Sequence, residues 1–156
     1  MSIYRVTATR RIQAPAHVAY DIIADYRDMH ARMVPPKWFS NLRVDSGGIG
    51  AGTTIRYDVR AFGATKTHRA RVDEPAPGRI LVESEIDDPI VTTFSVDPTS
   101  DDRACDVTIT SQLQSRDGFL GVIERWLATP MLRRIFAAEL ERLDTLARSV
   151  ARLAAA

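Results

Sequence analysis

Cysteine and lysine are scarce in this sequence of 156 residues, which has one cysteine, Cys105, and two lysines. A single cysteine forms no internal disulfide, so a reducing, cytoplasmic setting is expected. The opening residues carry charge at short intervals without a signal-peptide apolar run, and no stretch approaches the ~18 uncharged apolar residues of a membrane span. The 19 arginines and 20 alanines suggest a GC-rich bacterial genome.

The sequence also lacks an excess of either charge, because 21 basic and 20 acidic residues leave a formal net charge of +1. Such a chain has no bulk electrostatic attraction to nucleic acid or to anionic membranes. We therefore expect no nucleic-acid partner and no stable membrane insertion, and the sequence leaves an oligomer possible. The apolar content of 45% and the length are typical of one globular domain spanning residues 1–156.

Motifs of metal and nucleophilic chemistry are absent. The three histidines, His17, His30 and His68, lie on different predicted elements, and no HExxH, CxxC or calcium-type loop is present. No GxSxG motif is present, and the glycines at 47–52 lack the Lys-Ser/Thr ending of a phosphate-binding loop. We predict no metal and no cofactor, and Cys105 is expected to be a small buried thiol.

The apolar pattern changes period twice along the chain. A strand is predicted at residues 3–13, followed by two short helices that end before Pro35. Residues 38–113 then alternate with period two and predict six strands joined by turns. Residues 117–154 return to helical period, with Asp117 as the cap, and Pro130 is expected to divide this element into helices at 119–128 and 131–152. The pattern predicts an α+β fold in which a curved antiparallel sheet of about seven strands surrounds a long C-terminal helix.

Several segments in this order carry a family resemblance. RRIQAPAHVAYDIIADYRDM, which contains Ile12–Val18 as I-Q-A-P-A-H-V, resembles the opening signature of the SRPBCC or START-like superfamily, and more closely its polyketide cyclase/dehydrase-like branch. The glycine turn GIGAGTTIRYDV, the segment ARVDEPAPGRILVES and the final amphipathic helix are also similar. The resemblance implies a helix-grip fold with an internal cavity for a lipid-like, aromatic or polyketide-like ligand. It implies no single activity, since the superfamily contains binders, transfer proteins, cyclases and regulators.

Three functions fit this pattern. The leading hypothesis is binding of a small hydrophobic molecule in the cavity between sheet and helix. The alternative is a polyketide cyclase or aromatase in which His68 or Tyr57 moves protons during ring closure and dehydration. The third is an interaction protein whose cavity is filled by side chains. An inward cluster of titratable groups within hydrogen-bonding distance would favour the enzyme over the binder.

The candidate ligand-binding residues share the inward face of their predicted strands or the apolar stripe of the final helix. They are Val6, Arg10, Ile55, Tyr57, His68, Val82, Ser84, Thr92, Phe94, Ile109, Ser111, Ile123, Leu127 and Leu143. Three of them, His68, Tyr57 and Arg10, are also the catalytic candidates. For each of these three a structural role stays open: a hydrogen-bonded histidine, a core tyrosine, and an arginine that reaches solvent at the rim.

Other conspicuous residues have ordinary structural interpretations. Glu83 and Glu85 alternate with Leu81, and because the opposite face of that strand is more apolar, the two glutamates are expected on the solvated face. Trp38 and Trp126 are expected to be packing residues, with some aromatic side chains bordering the cavity entrance.

Overall fold

The computed structural model describes residues 1–156 as one antiparallel sheet of seven strands with three helices. The chain order is β-α-α-β6-α. The elements are β1 (Ser2–Ile12), α1 (Ala16–Ala24), α2 (Met29–Met33), β2 (Phe39–Ser46), β3 (Thr54–Ala61), β4 (Ala64–Ala76), β5 (Ile80–Glu85), β6 (Val91–Pro98), β7 (Cys105–Ser115) and α3 (Gly118–Ala155).

The first strand pairs with the last. The strand order is β1-β7-β6-β5-β4-β3-β2. All the remaining pairs of adjacent strands are consecutive in sequence. The register between β1 and β7 is unbroken from Ser2 opposite Ser115 to Ile12 opposite Cys105. This arrangement of sheet and long C-terminal helix confirms the predicted α+β helix-grip fold.

The core lies between the inward face of the sheet and the C-terminal half of α3. On α3, Phe136, Leu140, Leu143 and Ala147 recur every three or four residues and are at most 5% exposed. Alternate residues of the strands meet this stripe, as the buried and half-exposed positions of β7 show. The sheet and the helix therefore bury each other's apolar faces.

Helices α1 and α2 are held in place by the glycine turn between β2 and β3. The backbone N–H of Tyr26 donates to the carbonyl of Gly48, and the N–H of Gly50 donates to the carbonyl of Ala24, each at 2.9 Å. Gly50 has a φ of +58°, and a Cβ there would lie 2.5 Å from the Glu74 carboxylate. The positive φ favours glycine at this position, and the two hydrogen bonds of the turn hold the segment that carries Tyr26 toward the interior.

Pro130 does not divide the C-terminal element, and the prediction of two helices is wrong. Helix α3 continues from Gly118 to Ala155 with Pro130 inside it. Pro130 is exposed, so the carbonyl of Trp126 that loses its helical partner lies where water can hydrate it. Asp117 precedes the helix without a side-chain capping bond, because its carboxylate accepts from the Met1 amine and the Ser2 hydroxyl instead.

The first three turns of α3 do not pack their apolar side chains on the sheet as the periodicity predicts. Phe119 is 77% exposed and Trp126 is 74% exposed, so Trp126 is not a packing residue. The side turned inward carries Gly121, whose absent Cβ would lie 1.6 Å from the carbonyl oxygen of Arg116. This close backbone approach fixes the rotation of the helix and leaves the apolar stripe facing solvent. None of the helices is both long and apolar enough to cross a bilayer.

We expect Pro130→Ala to stabilise the fold. Alanine restores the missing N–H donor to the carbonyl of Trp126 and removes the strain of the ring, which costs about 3 kcal/mol inside a helix. The melting temperature should rise by several degrees in calorimetry. Pro89→Ala, in an exposed loop outside any helix, is the control and should give no gain. An unchanged or lower melting temperature for Pro130→Ala would contradict this account of α3.

Candidate functional site

A cavity of about 360 Å³ lies between the sheet, α2 and α3. Half of the residues around it are apolar, and several of the polar ones carry titratable groups. The lining residues are His30, Ala31, Val34, Pro36, Phe39, Ser40, Asn41, Leu42, Ile55, Tyr57, Glu83, Thr92, Phe94, Phe136, Glu139 and Arg142. A space of this volume and composition fits a small molecule of one or two rings.

Strand β5 presents its carboxylates to the interior, contrary to the prediction. Glu83 lies opposite Val72 on β4 and Thr92 on β6, and both of these side chains face inward. The glutamate side chains are only 12% exposed for Glu83 and 7% for Glu85. Val82 and Ser84, which were expected to line the cavity, occupy the opposite face of the strand. Hydrogen-bonding partners from distant elements make the inward position of the glutamates possible.

Two side chains from the segment around α2 meet the Glu83 carboxyl. The Tyr26 hydroxyl donates to Glu83 Oε1 at 2.5 Å, and His30 Nε2 lies 3.6 Å from the same oxygen. The Tyr26 and His30 rings stack with centroids 4.2 Å apart, so each ring holds the other in position. One hydrogen bond, one close polar contact and one ring stack join the three side chains into a polar cluster at the wall of the cavity, which we call the Glu83 cluster.

The tautomer of His30 follows from its other contact. His30 Nδ1 lies 2.7 Å from the carbonyl oxygen of Ile23, which can only accept a hydrogen bond, so Nδ1 carries a proton. In the neutral ring the lone pair is therefore on Nε2, the nitrogen that points toward Glu83. His30 is buried, at 4% exposure, and its Nε2 faces the Glu83 carboxyl.

A second buried carboxyl, Glu139 of α3, faces the cavity from the helix side. Burial, followed by the charge of Glu83, raises the pKa of Glu139 well above its ordinary value of 4.5. Burial also raises the pKa of Glu83, while His30 and the Tyr26 hydrogen bond act in the opposite direction. Glu139 is thus the carboxyl that keeps its proton, and Glu83 is the one that ionises more readily.

A separate group of polar side chains surrounds Glu85 behind the cavity wall. The Tyr57 hydroxyl donates to Glu85 Oε1, and His68 Nδ1 lies 3.2 Å from Oε2. His68, Glu85 and Asp88 offer three ligand atoms within 4.8 Å of one another, a set that could hold a metal ion. However, Lys66 Nζ already donates to Asp88 at 2.7 Å, so the group is a network of hydrogen bonds and ion pairs as it stands.

The structure distributes the predicted site residues among four environments. Ile55, Tyr57, Thr92 and Phe94 line the cavity. Val6, Ile109, Ser111 and Leu143 are buried in the core around it. His68 faces inward but is covered by Tyr57, on which its ring stacks at 5.6 Å. Arg10, Val82, Ser84, Ile123 and Leu127 lie outside the cavity lining.

Three of these outer residues were predicted to line the cavity, and the structure shows why they do not. Ile123 and Leu127 are 37% and 47% exposed because the first half of α3 turns them toward solvent. Arg10 projects to the rim, where its guanidinium lies 3.6 Å from the buried Asp144 carboxylate and remains 45% exposed. This is the snorkelling geometry in which an arginine keeps its charge in water.

Tyr26, His30, Glu83 and Glu139 were not among the predicted site residues. His30 belongs to a helix of five residues, too short for a reliable apolar period. Glu139 lies between Phe136 and Leu140 on the buried side of α3, and this acidic residue in an apolar stripe was the available signal. Glu83 gave no such signal, since its partner Tyr26 is 57 residues away in sequence.

Comparisons with known proteins agree on the family and the fold. A family model described as "Polyketide cyclase / dehydrase and lipid transport" matches residues 4–148. A search of curated proteins found no match. Among solved structures, the KanY protein superimposes with a TM-score of 0.82 at 23% identity, covering 95% of this chain and 99% of that one.

Two further structures have the same fold at lower identity. The Zhui aromatase/cyclase from Streptomyces sp. R1128 has a TM-score of 0.76 and 17% identity, with 94% of each chain covered. A START superfamily protein from Mycobacterium smegmatis has a TM-score of 0.64 and 15% identity, covering 96% of this chain and 97% of that one. Together with the family match, these neighbours confirm the START-like resemblance inferred from the sequence.

The buried Glu139 predicts a specific dependence of stability on pH. Its pKa is raised on folding, so above pH 4.5 the unfolded chain releases a proton that the folded chain keeps, and stability falls as the pH rises through the raised pKa. Glu139→Gln removes this loss. The variant should match the wild type near pH 4 and exceed it at pH 7–8 in urea unfolding, with profiles diverging by up to about 1.4 kcal/mol per pH unit.

Glu141→Gln is the matched control, since this exposed acid lies two residues further along the same helix. Its stability profile should follow that of the wild type. Parallel profiles for the wild type and Glu139→Gln would show that Glu139 is already ionised in the folded state.

Proposed function

The chain belongs to the polyketide cyclase / dehydrase and lipid transport family, and from that premise we propose that it binds a small, oxygen-bearing hydrophobic molecule in the cavity and transfers protons on it. The reaction class is cyclisation or dehydration of a carbonyl compound of aromatic size. The single observation that carries this proposal is the Glu83 cluster: a buried carboxyl at the cavity wall, bonded by Tyr26 and 3.6 Å from His30 Nε2.

Binding alone does not need such a cluster. An apolar pocket with one or two neutral hydrogen-bonding groups would hold a hydrophobic molecule at lower cost, because each buried carboxyl must be desolvated. Here two carboxyls, Glu83 and Glu139, face the same space, and their environments separate their pKa values. Pairs of titratable groups with separated pKa values are typical of acid/base sites.

In this proposal each carboxyl has its own role. Glu139, which keeps its proton, donates a hydrogen bond to the substrate carbonyl oxygen and stabilises the negative charge that develops there. Glu83 takes a proton from the carbon next to that carbonyl and becomes neutral, and the lone pair of His30 Nε2, 3.6 Å away, faces the protonated carboxyl. The enolate carbon then attacks a second carbonyl of the same molecule, whose oxygen takes the proton held by Glu83 and becomes a hydroxyl group. For dehydration, Glu83 removes a second proton from the same carbon and returns it to the hydroxyl, which leaves as water.

The aromatic side chains suit a flat substrate. Phe39, Tyr57 and Phe94 border the cavity, and the Phe39 and Tyr57 rings pack against each other at 5.9 Å. Ring faces of this kind hold a planar carbonyl chain in the folded shape that ring closure needs. One of the structural neighbours, the Zhui aromatase/cyclase, is named for a reaction of the same class.

Two other functions have weaker support. A protein that binds a ligand without turnover would use the same cavity, but this function does not explain why titratable groups are buried in the Glu83 cluster. An interaction protein with a filled interior is disfavoured by the open volume of about 360 Å³.

We also propose that the protein is cytoplasmic, because its one thiol, Cys105, is unpaired and fully buried.

Glu83→Gln should remove proton transfer and leave binding in place. Glutamine has the same size but accepts no proton, so turnover should fall by roughly 10²–10⁴-fold, the usual contribution of a general base. The measurement is deuterium incorporation next to the carbonyl of aryl ketones such as 4-hydroxyacetophenone, followed by NMR in D₂O. Binding of the same ketones is followed in parallel by native mass spectrometry.

Glu74→Gln is the matched control, because Glu74 also accepts a tyrosine hydroxyl, from Tyr20 at 3.0 Å, but lies outside the cavity. It should leave exchange unchanged. Ketones that bind to the wild type without any catalysed exchange would overturn the enzyme proposal in favour of a binding protein.

A further inference from the structure

The N-terminal half of α3 exposes a continuous apolar surface. Six side chains on its first three turns are between 37% and 77% exposed. They are Phe119, Leu120, Val122, Ile123, Trp126 and Leu127, and we call this surface the α3 apolar face. No other part of the chain gathers so many large exposed apolar residues. Contiguous exposed apolar surface of this kind marks a site that meets another apolar phase.

The α3 apolar face is exposed because of the way the helix is rotated, and the helix itself is intact there. Phe119, Ile123 and Trp126 follow the helical period and share one side of α3, while Gly121 is buried on the opposite side. In the C-terminal half the relation reverses, and Leu140 and Leu143 face the core. One helix therefore carries two apolar stripes that point in different directions.

Two unpaired positive charges lie beside the face. Arg133 and Arg134, about two turns beyond Trp126 and Leu127, are exposed, and neither lies within 4 Å of a carboxylate. The two acidic residues nearby are neutralised. Asp117 binds the Met1 amine at 2.6 Å, and Glu124 binds Arg116 at 2.8 Å. A chain with a net charge of +1 thus concentrates unpaired positive charge beside its largest apolar surface.

We propose that the α3 apolar face docks on the surface of an anionic lipid bilayer. Trp126 and Phe119 enter the boundary between headgroups and acyl chains, where amphipathic aromatic rings partition favourably. Arg133 and Arg134 contact the lipid phosphates. A second copy of the chain fits less well, because a two-fold contact would bring the same unpaired arginines together. The proposal is independent of the catalytic role assigned to the Glu83 cluster.

The test uses the full chain with vesicles of phosphatidylglycerol or of phosphatidylcholine alone. Co-sedimentation should show binding to the anionic vesicles and little binding to the neutral ones. In a Trp38→Phe background, Trp126 is the only tryptophan, and its fluorescence should shift to shorter wavelength on binding. Arg133→Glu/Arg134→Glu should weaken the partition by roughly 30-fold or more, since each basic residue at such a surface contributes about fivefold. Trp126→Glu should abolish it.

Two control variants make the same kinds of change away from the α3 apolar face. Phe62→Ser removes an apolar side chain that is 69% exposed in the β3–β4 turn. Arg43→Glu/Arg60→Glu makes the same charge change on β2 and β3. Both should bind anionic vesicles nearly as well as the wild type, and circular dichroism verifies that every variant is folded.

Three results would overturn the proposal. They are no sedimentation with anionic vesicles, equal binding to neutral vesicles, and a dimer in analytical ultracentrifugation that Trp126→Glu dissociates. The last result would identify the face as an interface between copies. None of these outcomes depends on turnover, so the lipid-surface proposal and the proposed enzyme activity fail separately.

Discussion

A carboxyl buried on the inward face of the sheet is the constraint on which the interior of this protein depends. An isolated carboxylate in such a place costs several kcal/mol, so Glu83 needs partners that the sheet itself does not supply. The segment from α1 to α2 supplies them, and the glycine turn after β2 holds that segment against the sheet. The polar wall of the cavity follows from meeting this one demand, and the charge of Glu83 adds to the effect of burial in raising the pKa of Glu139.

Helix α3 serves two environments along one continuous element. Its C-terminal half closes the core and contributes Glu139 and Phe136 to the cavity. Its N-terminal half approaches the backbone of Arg116 closely at Gly121 and leaves its apolar stripe in water. Pro130, which has no backbone N–H to donate, lies between the two halves. Apolar residues recur at helical spacing in both halves, but the two stripes face different surroundings.

Local patterns predicted the architecture well, because the strands of the meander and the long helix are each specified by their own periodicity. The site was less predictable, and β5 shows why. Its alternation offers one face with Ile80 and Val82 and another with Leu81 and two glutamates, and apolar count favours the wrong face. The inward glutamates are stabilised by Tyr26 and Tyr57, 57 and 28 residues away in sequence. No local rule contains that information. The cavity residues Ile55 and Phe94 were predictable because their strands carry no such conflict.

The pairing of β1 with β7 has a consequence for how the chain is made. Ser2 and Ser115 become neighbours only after more than a hundred intervening residues have been synthesised. Strand β1 is therefore unpaired with β7 during most of translation. An unpaired strand with β-branched residues is prone to join other chains. Arg5, Arg10 and Arg11 place three positive charges on β1, and such charges discourage stacking of identical strands. Charges at these positions oppose edge-to-edge pairing of the first strand with other chains until β7 is available.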